Sequence, residues 1–369
     1  TTSDKLAYYE SIIDSIVALK RSDQFIESIC SFIKQMLIDR LHVIGDIFDR
    51  GPKAAEVMEL LKSHHAADIQ WGNHDIIWMG AACGNKFDVA EVIRLTARYG
   101  SLDTIEDDYG INLMPLITFA ITTYENDPAV PFIPKGTKPE NYSDANVRLM
   151  TMIHKAIAVI SFKLEGQLVM RNPDFAMSHR LLLDKIDYEK GTIFIDGADY
   201  PLKDYYFPTI DPKNPYALTP EEELVMNKLT SSFLNSAKLQ DDVSFLFAKG
   251  SVYLVYNNNL MLHGCIPMKS ETEFKEFNHK GRMVKGKELL DALEQTIRNV
   301  WVNRFNQTNN DGDYFWYLWC GACSPIFGKH RMATFERYLI EDKGPQSERL
   351  DLYYSLRNNV EVCERILAE

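Results

Sequence analysis

What most restricts the fold of this chain is a pair of short apolar runs, each halted by a glycine and followed at once by polar residues. Leu41-His42-Val43-Ile44 stops at Gly45, and Ala67 to Trp71 stops at Gly72. Runs of this length read as strands. Between them, after Gly51 and Pro52, the residues Val57, Met58, Leu60 and Leu61 recur at helical spacing. Together they predict a β-α-β unit. Its strands should be parallel neighbours with a right-handed crossover, opening their carboxyl ends at one edge of the sheet.

The segments that leave those strands hold residues suited to metal and phosphate chemistry. The first is Gly45-Asp46-Ile47-Phe48-Asp49-Arg50-Gly51 and the second Gly72-Asn73-His74-Asp75. Asp46, just beyond a strand end, offers an ionised oxygen whose direction the strand fixes, which suits a hard divalent cation. Asn73 offers a neutral amide oxygen to a second cation. An imidazole such as His74 titrates near neutrality and can hand a proton to a leaving alkoxide; Asp75 is expected to orient it. Arg50 presents a planar, permanently charged fork to phosphate oxygens. Taken singly, a Gly-Asp at a strand end is a turn and an Asn-His-Asp a surface loop. Found in this order across one crossover, they point to a functional site.

The remaining pattern is mostly helical. Apolar residues recur at helical intervals from Asp4 to Lys20, from Gln24 to Arg40, and through most of 73–165. A loop is expected at Asp127 to Asp144, where five prolines or glycines fall. Thr192 to Ile195, Gly197 and Tyr200 to Leu202 suggest a hairpin. Thr219 with Pro220 starts a helix expected to reach about Lys238. Ser251 to Tyr256, three asparagines and Leu260 to His263 spell a second hairpin, and the tail from Gly286 is helical again. No fixed-period repeat is present.

Of the 369 residues, 46% are hydrophobic and 25% charged, enough for one large domain or two ordinary ones. A soluble, cytoplasmic protein is expected. No stretch approaches about eighteen consecutive apolar residues, and Thr1 to Lys20 lacks the basic start and apolar run of a signal peptide. The six scattered cysteines suggest no disulfide framework. A net charge of −12 argues against nucleic acid as a partner, and nothing points to a membrane. A small phosphate ester remains compatible, given metal ions or a few arginines.

The two motifs resemble the signature of the calcineurin-like metallophosphoesterases. The match goes closer: Trp71 to Ala82, Tyr109-Gly110-Ile111-Asn112-Leu113, Leu181 to Gly191, Leu262 to Met268 and Trp316 to His330 together resemble the class III fructose-1,6-bisphosphatases of bacteria, over nearly the whole chain. The resemblance implies an α/β fold with a calcineurin-like layered core and large helical insertions. It implies one domain over 1–369, with 41–84 and 251–268 as the metal-site core, 85–250 as a largely helical insertion and 269–369 as a helical C-terminal part. The implied activity is hydrolysis of the 1-phosphate of fructose 1,6-bisphosphate, a gluconeogenic step, with manganese, or magnesium or another divalent cation, as a binuclear cofactor. Asp46 would bridge two metals about 4 Å apart. Asn73 and His263, an imidazole at the end of the hairpin strand 259–262, would complete the second. Asp49 would bind metal-coordinated water or brace its loop, His74 would protonate the departing sugar oxygen, and Arg50 would clamp the phosphate. Lys329, His330 and Arg331 form a basic group able to receive the other phosphate. The helices outside the core offer packing surfaces, so a homo-oligomer is expected.

The sequence departs from the superfamily pattern in two places. It has neither an Asp-x-His pair on the first strand nor a Gly-His pair on a last metal loop. Truncation at both ends, and hence a half-built site, is the expectation. Two rival readings stand beside it: a phosphoserine or phosphothreonine protein phosphatase, against which Asp75 speaks because that second motif ends in glutamate, and a non-catalytic module on a degenerate phosphatase fold. Cys320-Gly321-Ala322-Cys323 reads as neither a redox nor a zinc pair. Trp316, Tyr317, Trp319 and Phe327 read as core or subunit interface.

Overall fold

In the computed structural model, which describes residues 3–135 and 143–369, the first elements are two helices, α1 (Ser3–Ala18) and α2 (Ser22–Leu37). Residues 136–142 of the expected 127–144 loop lie outside the described residues. Both helices fall where apolar spacing put them, yet no residue of α2 is buried, and Phe25, Ile29 and Phe32 on its apolar face are exposed.

The β-α-β unit is present. Strand β1 (Leu41–Val43) leads through α3 (Ala54–Ser63) to β2 (Ala67–Gln70), and the strands pair in parallel with Leu41 opposite Ala67 and Val43 opposite Ile69. All four residues of β2 are buried, as a strand with a neighbour on each side requires. Its other neighbour comes from a distant part of the chain.

Helices supply most of the middle. Next in order are α4 (Asn73–Ala82), α5 (Lys86–Tyr99), α6 (Met114–Tyr124) and α7 (Asp144–Arg171), a 28-residue helix whose central turns are buried all round. The Asn85 side chain caps α5 by accepting from Phe87 N and Asp88 N, and Gly100 ends it in the left-handed conformation. Deep in this layer, Lys155 pairs with Asp127 and Asp204, and Lys163 with Glu222. The predicted hairpin follows, as β4 (Thr192–Ile195) against β5 (Ala198–Pro201), with the short β3 (Ile186–Asp187) on its other side.

The helix expected to reach about Lys238 ends at Asn235, and a second helix that the sequence pattern did not indicate follows it. A capping box between Thr219 and Glu222 starts α8 (Pro220–Asn235), which stops at Ser236, and α9 (Ala237–Lys249) continues in a new direction. Ser236 is extended, donates its hydroxyl to Tyr109 O at 2.6 Å and accepts from Leu239 N, so one side chain ends one helix and caps the next. Helix α9 runs straight into β6 (Gly250–Ser251), which pairs in parallel with β2 to complete a three-stranded sheet ordered β1-β2-β6.

The second expected hairpin is β7 (Tyr253–Tyr256) with β8 (Asn259–Leu262), turned by Asn257 and Asn258 in left-handed conformations. The C-terminal part is less uniformly helical than its pattern suggested. It holds the ribbon β9 (Phe277–His279) and β10 (Arg282–Val284), then α10 (Gly286–Val302), α11 (Asp313–Cys320) and short helices joined by irregular segments. Helix α11 packs Trp316, Tyr317 and Trp319 into the main core, with α4 beside it. No helix among the described residues is long and apolar enough to cross a membrane.

Candidate metal centre

The two loops interlock backbone to backbone. A Cβ on Gly45 would lie 2.4 Å from Gly72 N, and one on Gly72 would lie 2.2 Å from Asp46 Oδ1, so glycine is required at both. After β1 the chain reverses through Gly45 at φ 71° and Asp46 at φ 57°. Aspartate is among the few side chains that tolerate this region.

Asp75 staples the loops together. Its Oδ2 accepts from Asp46 N at 2.8 Å and Gly72 N at 2.9 Å, and its Oδ1 accepts from Phe48 N at 3.1 Å. This replaces the expected role beside His74: Asp75 binds three backbone amides, and Asp49 is the carboxylate facing the imidazole. Neighbouring residues on a helix point in different directions, so the acid next in sequence is not the acid next in space. Burial pushes the Asp75 carboxyl up to about 6, against the pull of the Gly72 and Phe48 amides.

The chemically active side chains converge above this staple. Asp46 Oδ1 accepts from His74 N at 3.1 Å, which fixes the carboxylate. His74 Nε2 lies 3.0 Å from Asp49 Oδ1, and ligand atoms of Asp46, Asp49 and His74 all fall within 4.8 Å of one another. Asp49 Oδ1 is buried and makes no aligned hydrogen bond, although His74 Nε2 and, at 3.2 Å, Arg50 Nε flank it. An acceptor left open among other donor atoms is what a cation site provides. Burial lowers the His74 pKa, while the carboxylates of Asp46 and Asp49 raise it. Its ring stands edge-on to Trp319 at 4.8 Å.

His263 approaches from the β8 side. Its Nδ1 donates to Ile44 O at 2.7 Å, which leaves the Nε2 lone pair facing Asp46 Oδ2 at 3.5 Å. A ligating histidine needs this arrangement. Asn73 donates Nδ2 weakly to Trp319 O at 3.4 Å. Asp46, Asn73 and His263 are thus brought to one edge, but the tight cluster joins Asp46 to Asp49 and His74, for which the sequence suggests other duties, and does not include His263. Carboxylate oxygens with an imidazole nitrogen form a mixed donor set able to hold a divalent cation.

A cavity of about 320 Å³ opens over the cluster, lined by Asp46, Asp49, Arg50, Asn73 and His74 at one side. Of the expected basic group only Lys329 reaches it. His330 is held on the backbone of Arg349, and Arg331 turns to Ser347 O and Pro345 O, so neither lines the cavity. The lining also includes Arg94, Arg98, Lys135 and Arg337, which the sequence did not single out. Arg94 and Arg98 stand one turn apart on a single face of α5, the one local signal that could have shown them.

The family model described as Firmicute fructose-1,6-bisphosphatase matches residues 1–369. This chain belongs to that family. The class 3 fructose-1,6-bisphosphatase of Clostridium novyi is 50% identical over 370 residues, covering 100% of this chain and 56% of its own length. One from Clostridium beijerinckii is 49% identical, covering 99% of this chain and 55% of its own length; one from Bacteroides thetaiotaomicron is 47% identical, covering 99% and 56%. The chain therefore spans about half the length of the curated relatives it matches. No solved structure matches it.

Proposed function

We propose that the chain carries the metal-binding and substrate-orienting part of a phosphatase that converts fructose 1,6-bisphosphate to fructose 6-phosphate and phosphate, a gluconeogenic step. The observation that carries this reading is the interlock of the Gly45–Gly51 and Gly72–Asp75 loops, which gathers Asp46, Asp49 and His74 beneath one cavity, with His263 at 3.5 Å from Asp46 outside its lining. Membership of the family supplies the sugar. In this reading the fold is one metallophosphoesterase domain of the calcineurin type. Segments 41–84 and 251–268 form its core, and helical segments 85–250 and 269–369 dress it.

In the complete enzyme, Asp46, Asn73 and His263, with Asp49, would be this chain's share of the residues holding a pair of manganese ions. When bound, such ions activate water and neutralise charge on the phosphate. The chain's own residues set the rest. Arg50 extends its guanidinium into the cavity, braced by Asp49 and lying 5.4 Å from the centre of the Tyr99 ring, where it would hold a peripheral phosphate oxygen. His74, between two carboxylates in a nearly dry position, would hold the proton destined for the sugar oxygen. A cytoplasmic homo-oligomer completes the proposal.

The test is phosphate release by a full-length, manganese-supplied version of the protein from fructose 1,6-bisphosphate, a phosphoserine peptide and a dinucleotide. Release from the sugar bisphosphate alone is expected. Preference for the peptide would establish the protein-phosphatase alternative, and two bound metals without release from any of the three would establish a non-catalytic module.

A further inference from the structure

The cations lining the cavity beyond Arg50 are charged groups that the metal chemistry leaves unused. Lys329 and Arg337 share the carboxylate of Glu348, at 2.8 and 3.0 Å. Arg98 and Lys135 have no carboxylate within 4.0 Å among the described residues. Arg98 instead lies over the ring of Tyr338, 4.3 Å from its centre, and Lys135 lies 6.0 Å from the centre of the Tyr99 ring.

Glu348 is the one acidic partner of Lys329, Arg337, Arg98 and Lys135 among the described residues. Arg98, Lys135 and Arg337 also line a neighbouring cavity of about 540 Å³, where Lys203 and Lys343 join them and no carboxylate contributes. The crowding is felt: Arg98 lowers the Lys135 pKa most, burial next, and Arg337 and Arg50 add to the effect. The platform under the cluster is rigid. Tyr338 stacks on Phe132 at 5.1 Å, and its hydroxyl is bonded by Arg94 and His154, both buried. In a chain of net charge −12, mutually repelling cations on a fixed aromatic floor mark a place for an anion.

We infer that Arg98, Lys135 and Arg337 bind the phosphate that a sugar bisphosphate keeps, while its other phosphate lies over Asp46, Asp49 and His74. This rests on the sugar-phosphatase reading, and it moves the second-phosphate site from the 329–331 segment to the end of α5, the segment that follows α6, and the short helix Phe335–Leu339. A ligand with two phosphates spans both walls of the cavity, whereas one with a single phosphate engages one wall. Selectivity for bisphosphates then resides in side chains that never touch the reacting phosphorus.

The experiment is calorimetric binding of fructose 1,6-bisphosphate to the chelator-treated chain, where no turnover interferes, for wild type, Arg98→Gln, Lys135→Gln and Arg331→Gln. Affinity is expected to fall ~10- to 100-fold for each of the first two, as for loss of a charged phosphate contact, and to change less than about 2-fold for Arg331→Gln, whose side chain is outside the cavity. Equal losses in all three variants would reduce the effect to overall charge and overturn the site. Unchanged affinity in Arg98→Gln and Lys135→Gln, or no wild-type binding at millimolar bisphosphate, would overturn it too. Failure of a full-length, manganese-supplied version to release phosphate, with Arg98- and Lys135-dependent binding intact, would sink the hydrolase reading and leave this site standing.

Discussion

Replacing Gly72 by alanine should disable the metal centre through a single methyl group. The backbone there, φ −84° and ψ 163°, is open to any residue, so no conformational strain enters and the effect is purely one of space. The new Cβ would sit 2.2 Å from Asp46 Oδ1 and 2.3 Å from Asp46 N. To reach ordinary contact the carboxylate must withdraw by roughly 1 Å. That movement breaks its bond from His74 N and disturbs the Asp46 N bond to Asp75. Overpacking costs about 1–3 kcal/mol, and each charged hydrogen bond lost inside costs about 1–3 kcal/mol more. A total of about 3–6 kcal/mol should lower the melting temperature by roughly 4–8 °C for a chain of this size. Manganese affinity should fall on the order of 10²-fold, because a ligand has moved as well as its support. Scanning calorimetry and metal titration read the two effects separately. Gly51→Ala is the control, since a Cβ there meets nothing within 4 Å. If Gly72→Ala melted and bound manganese like Gly51→Ala, the loops would not interlock and the site as described would be wrong.

Other perturbations reach different parts of the molecule. Manganese at about 100 times its dissociation constant should stabilise the chain by about 2.7 kcal/mol in a thermal melt; Asp46→Ala should abolish that gain, and a persisting gain would place the metal elsewhere. Lys155→Met leaves Asp127 and Asp204 facing each other without their cation and should cost about 3–5 kcal/mol in urea unfolding. Burial holds His154 down to about 3, so the unfolded chain takes up this proton first. Its contribution is whole above pH 6.5 and is lost as pH falls towards 3, reaching about 2 kcal/mol by pH 5. His154→Gln, which cannot gain the proton, should flatten that part of the stability profile even if its plateau is lower.

The parts of the fold legible in the sequence are those written into adjacent residues. The β-α-β unit could be read because apolar runs, glycine stops and one helical stretch lie within about thirty residues of each other. The hairpin ending at His263 could be read from its asparagine turn. The break between α8 and α9 could not, since Ser236 is neither glycine nor proline and turns the chain only by bonding Tyr109, far away in sequence. Asp75 illustrates the same limit at the site, because its duty depends on which backbone amides the other loop brings to it. The cationic wall was hidden most completely: Arg98, Lys135 and Arg337 share no local pattern and meet only once α5 packs beside the C-terminal segments.

Asp46 holds its place with the main chain wound in a sense that asparagine and glycine occupy more comfortably than any other residue. Asp46→Asn, which keeps an oxygen to accept from His74 N, should therefore give a chain that folds at least as well while its central ligand loses its charge. At this one position robustness and chemistry pull apart, which makes an inert, well-behaved substitute easy to prepare and a suitable vessel for capturing uncleaved ligand.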